Sequence, residues 1–115
     1  MSKTIGGIVM EVYMYSNRTN DPYNAKAIYD DGKVTVLKGS KITKQMKENF
    51  RPYVSVINCR SDGKIVDEEG IVLKNVEFTS PSGAAQFVSG RSTDGLMAWK
   101  ITRGVPLRTV VKEGK

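Results

Sequence analysis

The chain has no histidine, and that absence removes more chemistry than any other feature. Ser-His-Asp and Cys-His catalysis are excluded, because each needs an imidazole to take the nucleophile's proton. One cysteine, Cys59, excludes an internal disulfide, and without histidine beside it a structural zinc site lacks its usual donors. A lone thiol fits a reducing compartment, and Met1-Ser2-Lys3-Thr4 has no apolar signal segment behind it, so a cytoplasmic location is expected. Long hydrophobic runs are missing too: none approaches the roughly 18 residues of a membrane span, and no membrane association is expected. No repeat, linker or low-complexity stretch divides the sequence. The expectation is a non-catalytic chain with no cofactor and no metal.

What is present fits one domain over residues 1–115. A hydrophobic content of 39% is ordinary for a folded chain of this length and suffices for a single core. The net charge is +6, and its placement is uneven. Lys33, Lys38, Lys41, Lys44, Lys47 and Arg51 face one acid, Glu48, within a single segment, which therefore carries +5 of the +6. A concentrated excess suits a polyanion better than a diffuse one. The alternative is an ordinary solvated basic face.

The best-defined element lies between Phe78 and Ser92. Ser80 is an N-cap, Pro81 fits the first helical position, and Gly90 fits the left-handed stop, so a helix is predicted over residues 81–89. Ala84, Ala85, Phe87 and Val88 form its buried face. Elsewhere, alternation predicts a strand from Ile5 to Tyr15, with Ile8, Met10, Val12 and Met14 opposite Val9, Glu11, Tyr13 and Tyr15. Gly6-Gly7 weakens its start. Residues 16–24 read as a loop. Ala25–Tyr29 and Lys33–Leu37 form a central hairpin through Asp30-Asp31-Gly32. Ile42, Met46 and Phe50 have the spacing of a helical turn or two. Tyr53–Cys59 is open: strand by propensity, helix by spacing. Lys74–Phe78 reads as a strand. Leu96–Thr102 reads as another, with Met97, Trp99 and Ile101 on one face. Pro106–Val111 reads as a short edge strand, and Lys112–Lys115 as a frayed tail. The fold class is α+β: a small antiparallel β-sheet with one or two short helices packed on it.

Three blocks occur in order: Tyr29-Asp30-Asp31-Gly32-Lys33-Val34-Thr35-Val36-Leu37-Lys38-Gly39-Ser40, then Phe78-Thr79-Ser80-Pro81-Ser82-Gly83-Ala84-Ala85, then Gly90-Arg91-Ser92-Thr93-Asp94-Gly95-Leu96-Met97-Ala98-Trp99-Lys100. Together, over about residues 29–107, they resemble the small uncharacterised bacterial domain found C-terminal to GIY-YIG nuclease domains. That domain has a V-L-K-G-S strand end, an S-P-S-x-A-A helix, a G-R-S turn and a W-x-x-W-K strand. The blocks are also similar to restriction-adenine-methylase-associated (RAMA) domains, which are proposed to bind DNA in restriction and epigenetic systems. Leu96 stands where that pattern has its first aromatic, and residues 41–74 lack the plain amphipathic helix usual there. The resemblance implies a DNA-binding role linked to restriction or modification, with a nuclease or methyltransferase as partner.

Candidate contacts follow from charge and from helix ends. Lys38, Ser40, Lys41, Lys44, Lys47 and Arg51 are candidates for phosphate, joined by Arg91, Ser92 and Lys100. Ser80 and Ser82 open the helix, where capping is the first reading and anion contact the second. Arg91 and Ser92 leave its other end, about 14 Å away by helix rise. Trp99, the only tryptophan, reads first as core, with base stacking as the alternative. A groove between the Pro81 helix and the Leu96 strand is a candidate for reading a base. Asp31-Gly32-Lys33 and Asp62-Gly63-Lys64 have the D-x-K half of a nuclease metal site, but Asp-Gly is first a turn pair. Convergence of Lys38, Lys44, Arg91 and Lys100 beside one cleft is the geometric expectation of a binding site; scattered, they reduce to a solvated surface. A protein–protein interaction module or regulatory subunit is the alternative function.

Overall fold

Alternation along residues 9–16 places a strand at the centre of a six-stranded antiparallel sheet. The computed structural model of the chain describes residues 9–17 and 20–111. The expected strand residues 5–8, the Gly6-Gly7 pair and the tail Lys112–Lys115 lie outside the described residues. In chain order the elements are β1 (Val9–Ser16), β2 (Tyr23–Asp30), β3 (Lys33–Val36), α1 (Val54–Ser61), β4 (Val76–Phe78), α2 (Pro81–Ser89), α3 (Gly95–Ala98), β5 (Lys100–Thr102) and β6 (Val105–Pro106). A single 3-10 turn, Leu107–Thr109, follows β6. The sheet order is β4-β3-β2-β1-β5-β6.

Register shows why one face is the core. Val12 pairs with Ala27 and Met14 with Ala25 across β1 and β2. Ala27 pairs with Val36 and Tyr29 with Val34, while Val34 meets Phe78 and Val36 meets Val76. All of these side chains are buried. α2 lies on that face, with the Phe87 ring 5.1 Å from the Phe78 ring. Each fully buried Val or Phe contributes about 1.5–3 kcal/mol of transfer free energy. The β2–β3 turn has φ of 50° at Asp31 and 94° at Gly32, the primed turn that matches strand twist.

Three sequence expectations differ from the structure, and one that stood open is settled. Residues 40–51 form no helix: Ile42 is buried while Met46 is exposed, so the expected stripe is split. The cause is that its backbone N–H groups find partners elsewhere: Thr43 donates to the Val88 carbonyl and Lys47 to the Gly90 carbonyl. The open segment resolves as helix α1 over residues 54–61, as its spacing allowed, with Val56 buried and Arg60 donating to the Phe87 carbonyl near the end of α2. Residues 96–102 are not one strand. The Asp94 carboxylate accepts the Leu96 N–H (3.1 Å), the Asp94 carbonyl accepts those of Met97 and Ala98, and a helical turn forms before β5. That turn puts Leu96 and Trp99 on one buried side and leaves Met97 exposed. The expected edge strand Pro106–Val111 is paired only at Val105–Pro106 and then winds into the 3-10 turn that buries Leu107.

Candidate nucleic-acid interface

α2 has the two ends read in the sequence. Ser80, with φ −150° and ψ 153°, accepts the Gly83 N–H on its hydroxyl at 3.0 Å. Gly90, with φ 71°, donates its N–H to the Gln86 carbonyl at 2.8 Å. Every residue from Gly83 to Ser89 is buried, so the helix is core.

The expected base-reading groove beside α2 is filled. Gly95 packs so tightly that a Cβ there would stand 2.1 Å from the Pro81 carbonyl carbon. Its N–H donates to the Ser82 hydroxyl at 3.0 Å. The Trp99 indole N–H donates to the Pro81 carbonyl at 3.1 Å, and Trp99 is 0% exposed. Its ring therefore offers no face to a base, and Ser80 and Ser82 each hold a backbone N–H of the fold.

The basic segment is a surface loop pinned by its backbone. The Asp21 carboxylate accepts the N–H groups of Lys44 (2.8 Å) and Gln45 (3.0 Å), so the loop after β1 fixes the loop after β3. Ser40 is buried; it accepts the Lys26 N–H and donates to the Lys26 carbonyl, which makes it a strand-end tie rather than a phosphate contact. The Lys41 ammonium donates to the carbonyls of Pro22 (3.2 Å) and Ile42 (2.8 Å). Lys38, Lys44, Lys47, Arg51, Arg91 and Ser92 are exposed.

These side chains do not meet at one cleft. Lys38 shares a hollow of about 360 Å3 with Lys26 and Asn24. Lys44 borders one of about 180 Å3 with Arg60, Asp67 and Glu68, where two acids offset it. Lys100 lies beside Tyr13 and Arg103 around a hollow of about 410 Å3, its ammonium donating to the Met97 carbonyl at 2.5 Å. Only Lys47 and Arg91 come together, on the rim of a groove of about 310 Å3 that also holds Asp21, Tyr23 and Gln45. The Lys47 N–H bond to the Gly90 carbonyl (2.7 Å) ties Lys47 to the residue before Arg91.

Sequence reasoning missed Arg60, Asp21 and Lys26. The Arg60 guanidinium donates to the Phe87 carbonyl, the Thr43 carbonyl (2.6 Å) and the Thr43 hydroxyl (3.1 Å), stapling α1 to the end of α2. Burial lowers its pKa from the usual arginine value, and nearby Asp21 opposes that shift. Nothing local marks Arg60, because its partners are 17 and 27 residues away. Cys59 is half-buried; burial first and then Asp62 push its thiol pKa up, against a smaller opposite pull from Lys74. Asp31-Gly32 is the hairpin turn, and the Asp62 carboxylate accepts the Lys64 N–H at 2.8 Å. Among the described residues no group of three or more Cys, Asp or Glu is placed to hold a metal ion, and no helix is long and apolar enough to cross a membrane.

No curated protein and no solved structure matches the chain. A family model does match it over residues 14–111, a span that runs from within β1 to the end of the described fold. The protein carrying this pinned basic loop and largely buried capped helix is a member of the DUF4357 family, a domain of unknown function.

Proposed function

We propose that this chain is a non-catalytic nucleic-acid-binding domain that docks on the phosphates of DNA. The observation that carries the reading is the loop of residues 38–51. Its backbone is held in place by Asp21 and by the carbonyls of Val88 and Gly90, while Lys38, Lys44, Lys47 and Arg51 remain exposed. Arg91 extends that charge next to Lys47. A rigid backbone with free cationic side chains loses little order on meeting a polyanion. The non-catalytic reading is supported by the lack of histidine and by a Cys59 thiol pushed away from its reactive form. The resemblance to domains of restriction systems supports a role beside a nuclease or methyltransferase.

The test is fluorescence anisotropy with a labelled duplex. Two phosphate contacts, from Lys47 and Arg91, imply a weakening of about 10-fold between roughly 50 and 200 mM salt. The double variant Lys47→Glu, Arg91→Glu lowers affinity at both salts. A wild-type protein that leaves the duplex free even at low salt overturns the reading.

One observation favours a second reading, a protein-interaction module. Tyr53 (51%), Val54 (71%) and Ile57 (40%) at the start of α1 are exposed and apolar. Co-purification with a nuclease or methyltransferase that survives nuclease treatment and is lost in Val54→Asp supports it.

A further inference from the structure

The core-facing side chains of β1 leave an opposite face that, among the described residues, nothing covers. Tyr13 is 37% and Tyr15 64% exposed on that face, two positions apart on one strand. Strand rise separates them by about 6.5 Å, and both rings stand on the sheet. Leaving two phenol rings in water forfeits burial that a small domain can use, unless a flat apolar ligand covers them.

The charges around them are ordered in rows. Tyr13 has Lys26 opposite it on β2 and Lys100 opposite it on β5. Lys38 shares the hollow beside Lys26, and Arg103 shares the hollow beside Lys100. The acids of the same face run from Glu11, beside Tyr13, toward the other end: Glu11 pairs with Ile28, Glu77 with Thr35, and Asp30 with Val9 and with Lys33. Glu11 is also engaged, accepting the Tyr13 phenol at 2.6 Å. Tyr13 thus stands between two cations, Tyr15 stands beside Asn24 at the same end, and acids outnumber the one cation, Lys33, at the far end. A ligand that stacks and carries negative charge is matched at one end of the sheet.

We infer that this sheet face binds a single strand of nucleic acid, with unpaired bases stacked on Tyr13 and Tyr15 and the flanking phosphates held by Lys26, Lys38, Lys100 and Arg103. The inference rests on the nucleic-acid reading above and adds the site and the strandedness. A duplex keeps its bases inside its own stack, so only an unpaired strand offers the faces that two tyrosines take up. Stacking is tolerant of base identity, so this face selects strandedness rather than sequence.

The probe is a fluorescein-labelled oligothymidylate of about 15 nucleotides, compared with a duplex of mixed sequence. Tyr15→Ala and Tyr13→Ala each weaken oligothymidylate binding by about 5- to 100-fold and leave duplex binding within about twofold. Tyr15→Phe retains affinity, since the ring and not the hydroxyl stacks, and a thermal melt confirms that each variant folds. In the wild type, NMR signals of the tyrosine ring protons shift upfield when the oligonucleotide is added. If duplex and oligothymidylate bind and the alanine variants bind both as tightly as wild type, the sheet-face site is overturned while the general reading stands. Binding of neither probe overturns both. A Tyr15-dependent dimer that excludes the oligonucleotide assigns the face to a second copy of the chain and also overturns the inference.

Discussion

Among the described glycines, Gly95 has the closest backbone neighbours for an added methyl, and Gly95→Ala should be strongly destabilising. An alanine Cβ would lie 2.1 Å from the Pro81 carbonyl carbon, 2.3 Å from its oxygen and 2.4 Å from the Ser82 nitrogen. All three are backbone atoms, so no side chain can swing aside. Ordinary contact begins near 3.4 Å, so α3 and the start of α2 must part by about 1.3 Å. That shift breaks two bonds that join them, Gly95 N–H to Ser82 (3.0 Å) and Trp99 indole N–H to Pro81 (3.1 Å). Two lost hydrogen bonds cost about 2 kcal/mol and overpacking about 1–3 more, so the sum is about 3–5 kcal/mol. For a chain of this size that lowers Tm by about 12–20 °C. Melting followed by the fluorescence of the buried Trp99 measures it directly. Two controls separate crowding from backbone strain. Gly63 has nothing within 4 Å and no positive φ, so Gly63→Ala changes stability by less than about 1 kcal/mol. Gly104 is equally open but has φ 77°, so Gly104→Ala costs about 1–2 kcal/mol through conformation alone. A Gly95→Ala protein melting within about 2 °C of wild type would refute the close approach of α2 and α3.

Arg60→Ala removes three donated hydrogen bonds at the junction of α1, α2 and residue 43, and urea denaturation should show a loss of about 2–3 kcal/mol. Arg60→Lys should recover under half of it, because one ammonium cannot span the carbonyls that the planar fork reaches. Tyr13 should ionise above the ordinary phenol value, chiefly because its hydroxyl donates to Glu11, with burial and the Glu11 charge adding to the shift. The sign follows: folding favours the protonated phenol, so this contribution is fully present below about pH 10 and is lost as pH rises through the folded-state value. Ultraviolet difference titration of Glu11→Gln should show the Tyr13 transition moving back down, and an unmoved transition would exclude the Glu11 contact as its cause.

Which parts of the fold were legible depends on where each segment finds its hydrogen bonds. α2 was readable to its ends because Ser80, Pro81 and Gly90 act within a few residues of themselves. The hairpin was readable for the same reason, Asp31 and Gly32 supplying both positive φ values locally. Residues 40–61 were not, because Asp21, Val88, Gly90 and Phe87 supply the partners and none of them is near in sequence. α3 is an intermediate case. Asp94 carries the cap signal of a helix start, but the alternation that follows it predicts a strand. Spacing failed in the same way for the candidate site. Lys38, Lys44 and Lys47, close in sequence, border three separate hollows, since an irregular loop has no period to bring them to one face. The alternation of β1, in contrast, was read correctly, and its parity alone sends Tyr13 and Tyr15 away from the core.

The buried helix and the open sheet face are one problem in geometry. α2 has no residue from Gly83 to Ser89 left for contact with a partner, so its part in any function is to place others. It does so through Gly95. Contact of that glycine with Pro81 fixes where α3 begins, and the helical turn ends one residue before β5. Trp99, bonded to Pro81, sets the depth of the turn, and the next residue, Lys100, pairs with Tyr13. A cation thus reaches one flank of the exposed tyrosines because a small residue permits a close approach on the opposite side of the sheet. Lys26 reaches the other flank through the β1–β2 register, which the buried pairs Val12–Ala27 and Met14–Ala25 hold in place. A slip of one residue there would bury the tyrosines and expose the core, so the packing that stabilises the fold also keeps both rings on the surface.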